Sequence, residues 1–280
     1  MATAKRAACV IGYPAKHSRS PKLHGYWIKR YGIDGDYRIE ERPPAEFEAF
    51  VGNLAANGYV GANVTMPHKD AALRLSEPDE RARAVGAANT LWLDGAGRLR
   101  STNTDVEGFI GALDAASPGW HKRNKSAVVM GAGGAANAVV YGLIERGLST
   151  IHVANRTYEK AAAIAQRFGA SVQPAHYDAI PSLLKGAKLL INATSLGMKG
   201  QRELAIDLGT LAADAVVSDI IYVPLKTPLL AAAEARGLKT SNGLDMLLHQ
   251  AVRGFELWFG IRPEVTPELF DLLAADIPKT

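Results

Sequence analysis

The sequence has one cysteine, Cys9, so no intrachain disulfide can form and a reducing compartment, the cytoplasm, is expected. No apolar run approaches the ~20 residues of a membrane-spanning helix, so no membrane partner is expected. The basic start, Met1–Arg6, is followed only by the apolar stretch Ala7–Ile11. That is too short for a secretory h-region and reads as a first strand. The 27 Gly and 14 Pro follow no fixed period, which excludes a collagen-like repeat. There is no internal repeat and no low-complexity tract. Acid is missing from the front of the chain: seven cations (Lys5, Arg6, Lys16, Arg19, Lys22, Lys29, Arg30) precede Asp34, the first carboxylate.

The 280 residues are 48% hydrophobic and 21% charged, a globular balance that excludes a disordered chain. At ~150 residues per domain, about two domains are expected. The net charge of +4 lies in the first half: residues 1–140 carry 18 basic and 14 acidic side chains, residues 141–280 carry 14 of each. A nucleic-acid partner is not expected, because the basic run is sparse and lacks a binding motif. A small anionic substrate fits the excess, and so does a solvated basic face.

In the first hundred residues, strand-like stretches (7–12, 36–40, 59–65) alternate with helix-like ones (20–31, 46–56). Ser20 suits the cap of the first helix, Pro21 its first turn and Gly32 its stop. Pro67 is expected to open a helix running to about Leu75. Asn89–Leu93 and Arg98–Ser101 flank Asp94-Gly95-Ala96-Gly97 as a hairpin. A helix over Asp105–Ala116 leads into a polar loop, Ser117–Asn124. Beyond it, strands over 126–130, 150–154, 188–192, 215–220 and 239–241 alternate with helices that include 137–145 and 158–168. That order predicts a parallel sheet covered on both faces. Two last helices, 244–259 and 267–275, are expected to fold back onto the first domain. The division expected is 1–104, 105–245 and 246–280.

Gly131-Ala132-Gly133-Gly134-Ala135-Ala136 follows one predicted strand and opens one predicted helix, as G-x-G-x-x-A. The glycines allow a tight turn and close approach to a pyrophosphate, whose charge the helix N-terminus would hold. The next strand ends at Asn155-Arg156-Thr157, with Lys160 beyond. A carboxylate there would repel a 2′-phosphate; two cations and a hydroxyl suit it, so NADP is expected over NAD.

His17-Ser18-Arg19-Ser20-Pro21 sets two hydroxyls at a helix N-terminus, fit for a carboxylate or simply for capping. In Asn63-Val64-Thr65-Met66-Pro67-His68-Lys69, the lysine falls in a first helical turn. A cation opposes the dipole there, and the same field favours proton release, which suits a proton shuttle. Gly86-Ala87-Ala88-Asn89-Thr90 and Asn103-Thr104-Asp105 add amides and a carboxylate at loop ends. Paired with Lys69, Asp105 would form a proton couple; alone it is a good first-turn acid.

Taken in order, these motifs resemble the shikimate dehydrogenase family from Gly12 to about Gly260. Asn192-Ala193-Thr194-Ser195, Tyr222-Val223-Pro224, Thr227-Pro228-Leu229 and Gly243 to Gln250 complete the set. The resemblance implies an N-terminal α/β substrate domain, a Rossmann-like doubly wound NADP domain, and C-terminal helices returning to the first. It implies that Ser18 and Ser20 bind the substrate carboxylate. Asn63, Thr65, Asn89, Asp105 and Gln250 would hold ring hydroxyls, with Tyr222 against the substrate. Lys69 and Asp105 would be the catalytic pair. Gly131, Ala132, Gly133, Gly134, Ala135, Asn155, Arg156, Thr157 and Lys160 would hold NADP. Thr194, Ser195, Ile220 and Gly243 would line its nicotinamide side, and Glu80 falls near a cofactor-contacting position. No metal is implied. The implied reaction is reversible NADPH-dependent reduction of 3-dehydroshikimate to shikimate, in chorismate and aromatic amino acid biosynthesis, by a monomer or homodimer. Asp245 stands where relatives often have Gly, which touches the nicotinamide fit. The competing readings are a quinate or aminoshikimate dehydrogenase of the same family and a non-catalytic NADP-binding regulator. Two serines in the carboxylate motif favour shikimate, because quinate carries an extra hydroxyl.

Overall fold

A computed structural model describes residues 6–279. The first part contains β1 (Arg6–Gly12), α1 (Ser20–Arg30), β2 (Gly35–Glu41), α2 (Pro44–Gly52), β3 (Tyr59–Val64) and α3 (Lys69–Arg74). It continues with β4 (Glu77–Pro78), α4 (Glu80–Val85), β5 (Thr90–Leu93) and β6 (Leu99–Thr102). Then come α5 (Asp105–Ala116), α6 (Trp120–Arg123), β7 (Ser126–Met130), α7 (Gly134–Glu145), β8 (Thr150–Asn155), α8 (Tyr158–Phe168) and β9 (Val172–His176). The chain ends with α9 (Ile180–Leu183), β10 (Leu189–Asn192), β11 (Val216–Asp219), α10 (Pro228–Ala235), β12 (Lys239–Ser241), α11 (Gly243–Phe259) and α12 (Pro267–Ala274).

Two compact units result. The first joins the chain up to Thr104 with Gln250–Leu273; the second joins Asp105–His249 with the tail from Ala274. The first holds a mixed sheet in the order β2-β1-β3-β5-β6-β4. Its core gathers Cys9, Ile11, Phe47, Leu54, Val64 and Leu91. The returning segment is tied in by indole donors: Trp258 Nε1 to Leu91 O at 2.8 Å and Trp27 Nε1 to Glu264 O at 3.0 Å. The tail is tied to the second unit, where the amides of Leu225 and Lys226 donate to Pro278 and Lys279.

The second unit's sheet is wholly parallel, in the order β12-β11-β10-β7-β8-β9. Its inner strands are mainly apolar because alternate residues enter two different cores. Ala127, Val129, Ile151, Val153 and Ile191 pack on one face; Val128, Met130, Ala154, Leu190 and Val217 pack on the other. That is the signature of a sheet with helices on both sides. Counted within the unit, the order is 3-2-1-4-5-6 reversed end for end, a doubly wound Rossmann arrangement. The order switches between β7 and β10, so their carboxyl ends, Met130 and Asn192, border the crevice where such sheets bind ligands.

Several local expectations are corrected. Pro67 lies outside α3, since Thr65–His68 closes as a turn with His68 N donating to Thr65 O at 3.0 Å. Lys69 is therefore the first helical residue, not the third. Ser20 does not cap α1. Arg19 is the N-cap, without a side-chain bond, and the Ser18 hydroxyl accepts from the Ser20 amide at 3.3 Å. The loop after α5 contains the turn of helix α6. Strand β9 carries no strand pattern in sequence, because Val172-Gln-Pro-Ala-His is polar and holds Pro174. As an edge strand paired only with β8, it tolerates the missing donor.

Candidate functional site

In the first unit the implied substrate residues gather at the carboxyl ends of β1 and β3 and the start of β5. A Cβ on Gly12 would stand 2.4 Å from Thr65 Cγ2, so only glycine lets β1 end against that threonine. Thr65 N donates to Ile11 O at 2.9 Å, which ties the two strand ends. Asn63 and Asn89 are buried, and Val64 N donates to Asn89 O at 2.8 Å. The Asn89 Oδ1 accepts the Thr104 amide at 2.7 Å, and Thr104 Oγ1 meets Gln250 Oε1 at 3.3 Å. Ser18 is half-buried and Ser20 buried at the start of α1. Lys69 is half-buried at the start of α3, and its carbonyl accepts the Ala88 amide at 3.1 Å. The lysine backbone is thus fixed beside the Gly86–Thr90 motif.

Asp105 and Tyr222 fall in the second unit. Asp105 is the first residue of α5, where a carboxylate meets the positive end of the helix. Tyr222 is half-buried beyond β11.

The glycine turn of the second unit fits a dinucleotide. Gly131 has φ +101°, and a Cβ there would lie 2.8 Å from Thr194 Cγ2 and 2.9 Å from Ala193 O. It is glycine for both conformation and space. Gly133 and Gly134 would each put a Cβ into open space, with nothing within 4 Å. Nothing in the protein needs them small, so the room they leave suits a ligand. Gly133 is the N-cap of the twelve-residue α7 and provides no side-chain cap. The first N–H groups of a helix lack intrahelical partners, which suits a phosphate there. Arg156 and Thr157 are exposed just beyond β8 and Lys160 is exposed in the first turn of α8, and Asn155 Nδ2 braces the loop by donating to Thr157 O at 2.8 Å. No carboxylate pairs with Arg156 or Lys160 among the described residues. The donor set therefore fits a phosphorylated ribose.

Thr194 is held by Asn192, whose Oδ1 accepts Thr194 Oγ1 at 2.7 Å. Asn192 Nδ2 in turn donates to Asp219 Oδ1 at 3.1 Å. Asp219 also accepts the Ile221 amide at 3.1 Å and the Thr227 hydroxyl at 2.7 Å. Burial pushes the Asp219 carboxyl up to about 6, against the pull of those three donors. This buried carboxylate was not anticipated from sequence. Its only signal was an acid embedded in the apolar run Ala215–Ile221. Gly243 is glycine for space, since a Cβ would stand 2.1 Å from Ile220 O. Asp245 sits in the first turn of α11, where burial raises its carboxyl to about 6.

Three family models match the chain. Residues 10–91 match the shikimate dehydrogenase substrate binding domain, residues 115–199 shikimate / quinate 5-dehydrogenase, and residues 243–267 the shikimate 5′-dehydrogenase C-terminal domain. A shikimate dehydrogenase (NADP(+)) of Rhodopseudomonas palustris (strain TIE-1) is 64% identical over 277 residues, 99% of each chain.

The chain belongs to the shikimate dehydrogenase family.

Two solved structures of shikimate dehydrogenase relatives bracket it. The quinate dehydrogenase of Corynebacterium glutamicum in complex with NAD superposes with a TM-score of 0.87 at 31% identity, over 97% of this chain and 99% of its own. The shikimate 5-dehydrogenase of Thermus thermophilus, in complex with NADP(H) and shikimate, gives 0.82 at 33% identity, over 96% and 98%. Fold alone does not separate the two substrates, and the distinction rests on side chains. Among the described residues no helix is long and apolar enough to cross a membrane, and no group of three or more acidic, histidine or cysteine side chains is placed to hold a metal.

Proposed function

We propose that this chain is an NADP-dependent oxidoreductase that reversibly reduces 3-dehydroshikimate to shikimate, a step of chorismate and aromatic amino acid biosynthesis. One observation carries the reading. A chain 64% identical over its length to a shikimate dehydrogenase (NADP(+)) keeps the serine pair, the amides and the lysine in one unit and an open glycine turn in the other.

In this reading Ser18 and Ser20 hold the substrate carboxylate through their hydroxyls. Asn63, Thr65, Asn89 and Gln250 hold ring hydroxyls, and Tyr222 borders the substrate. Gly131 to Ala135 receive the pyrophosphate of NADP, and Asn155, Arg156, Thr157 and Lys160 its 2′-phosphate. Thr194, Ser195, Ile220 and Gly243 line the nicotinamide side. When bound, NADPH supplies the hydride that the ketone carbon accepts. Lys69 Nζ gives the ketone oxygen its proton and, in reverse, takes the hydroxyl proton. Asp105 is the second catalytic residue. Positioning of the two reactants accounts for much of the acceleration. The enzyme works in the reducing cytoplasm, as a monomer or homodimer, with its thiol Cys9 buried.

The test is product identification. 3-Dehydroshikimate incubated with NADPH and the purified protein is expected to yield shikimate in step with NADPH consumption. A protein that binds NADPH but consumes none would favour the non-catalytic reading instead.

A further inference from the structure

Asn63 is gripped from behind by a residue that takes no part in the proposed chemistry. Tyr37, on β2 and buried, donates its phenol proton to Asn63 Oδ1 at 2.6 Å. The Tyr37 ring is clamped in turn. His24 stacks on it with centroids 4.1 Å apart and planes 19° apart, and Trp258 flanks it at 5.8 Å. His24 is fully buried with neither ring nitrogen in an aligned hydrogen bond, and burial lowers it to about 3 against the opposing pull of the Asn63 side chain. It is a neutral aromatic plate, not a charge.

The other end of the Asn63 carboxamide faces oxygens. Nδ2 donates to Asn89 O at 3.4 Å and to Thr90 Oγ1 at 3.3 Å. A flip of the amide would set Oδ1 against the Asn89 carbonyl, so the phenol and the carbonyl together permit one orientation. From there the bonds converge on the Asn89 side-chain oxygen. Thr90 Oγ1 donates to Asn89 Oδ1 at 3.1 Å, which also takes the Thr104 amide. Thr104 Oγ1 reaches Gln250 Oε1 at 3.3 Å. Thr104 Oγ1 also lies 3.1 Å from Asn89 Oδ1 and from Thr90 Oγ1, so these side chains form one network, and every residue in it is buried.

We propose that Tyr37 is a positioning residue for substrate recognition: it fixes the Asn63 carboxamide, and through it the Thr90–Asn89–Thr104–Gln250 chain, in the one orientation that reads the substrate's ring hydroxyls. This rests on the reading of Asn63, Asn89 and Gln250 as hydroxyl-binding residues. Replacing Tyr37 with Phe keeps the stack on His24 and removes one proton, leaving a buried amide oxygen unpaired and its carboxamide free to turn.

The experiment is a double-mutant cycle of Tyr37→Phe and Asn63→Ala, reading shikimate KM, kcat and NADP affinity. Tyr37→Phe is expected to raise the shikimate KM about tenfold, the size of one hydrogen bond lost to a buried group, with kcat and NADP affinity nearly unchanged. On the Asn63→Ala background the same substitution is expected to add nothing. A tyrosine with a merely structural role would lower active enzyme and kcat, not KM. An unchanged KM, or the same KM effect on both backgrounds, overturns the proposal. A second readout needs no substrate. The side-chain ¹⁵N–¹H pair of Asn63, identified by its loss in Asn63→Ala, is expected to shift and broaden in Tyr37→Phe; an unmoved pair overturns the proposal. If the unaltered enzyme does not turn over shikimate, the functional reading has failed, and the amide spectrum still decides the role of Tyr37.

Discussion

Asp219 ties the end of β11 to Asn192, Ile221 and Thr227, and burial raises its carboxyl from an ordinary 3.8 to about 6. A group whose folded value is raised is stabilised by its proton. Its contribution is present below the unfolded value and is lost as pH climbs through about 6. At about 1.4 kcal/mol per pH unit, a rise of roughly two units makes ionised Asp219 cost about 3 kcal/mol relative to the protonated form. Asp219→Asn cannot ionise. Its amide oxygen can still accept from Asn192 and Ile221, and its amide nitrogen can donate to Thr227 Oγ1. The stability of the variant relative to the unaltered protein is therefore expected to rise by about 2–3 kcal/mol between about pH 4 and about pH 7. Urea unfolding at a series of pH values measures the difference, with hydrogen exchange of the Ile191 and Val217 amides locating it in this unit. Parallel stability curves for the two proteins would show that Asp219 does not ionise in a buried setting, and the reasoning would fall.

Three further outcomes are expected. Lys69→Ala should lower kcat by about 10²- to 10⁴-fold, the usual share of a positioned acid–base group, with little change in shikimate KM; near-normal kcat in steady-state assays would remove the proton role. Gly133→Ala places a methyl in open space, so its urea midpoint should hold while NADP affinity by titration calorimetry falls tenfold or more. Gly131→Ala, at φ +101° and against Thr194, should instead destabilise by about 1–3 kcal/mol, and equal stabilities of the two variants would contradict that contrast. Arg156→Ala should raise KM for NADP about tenfold, as one charge-assisted bond is lost, and leave KM for NAD nearly unchanged; equal effects on both cofactors would deny Arg156 its phosphate.

Much of this molecule is written locally. Helices α5 and α8 and strands β7 and β12 start and stop where periodicity and flanking residues place them, because their ends depend on neighbours in sequence. The glycine turn was legible for the same reason, as strand, turn and helix adjoin. What sequence did not disclose is held by distant partners. Tyr37 meets Asn63 across 26 positions, Asn192 meets Asp219 across 27, and Trp258 meets Leu91 across 167. Nothing in the string Gly35-Asp36-Tyr37-Arg38 announces a phenol that grips an amide two strands away. Ser20 reads as a cap from its neighbours alone, yet the Ser18 hydroxyl takes the amide of Ser20 and moves the helix start. Pro67 reads as a first helical residue until the preceding turn closes on His68.

The central claim is tested most directly by initial rates on the purified enzyme, pairing shikimate and quinate each with NADP and with NAD. kcat/KM is expected to be largest for shikimate with NADP, through the Ser18 and Ser20 carboxylate site and through Arg156. A preference for quinate or for NAD would contradict that assignment while leaving the fold intact, and no turnover with any pair would contradict the enzyme itself.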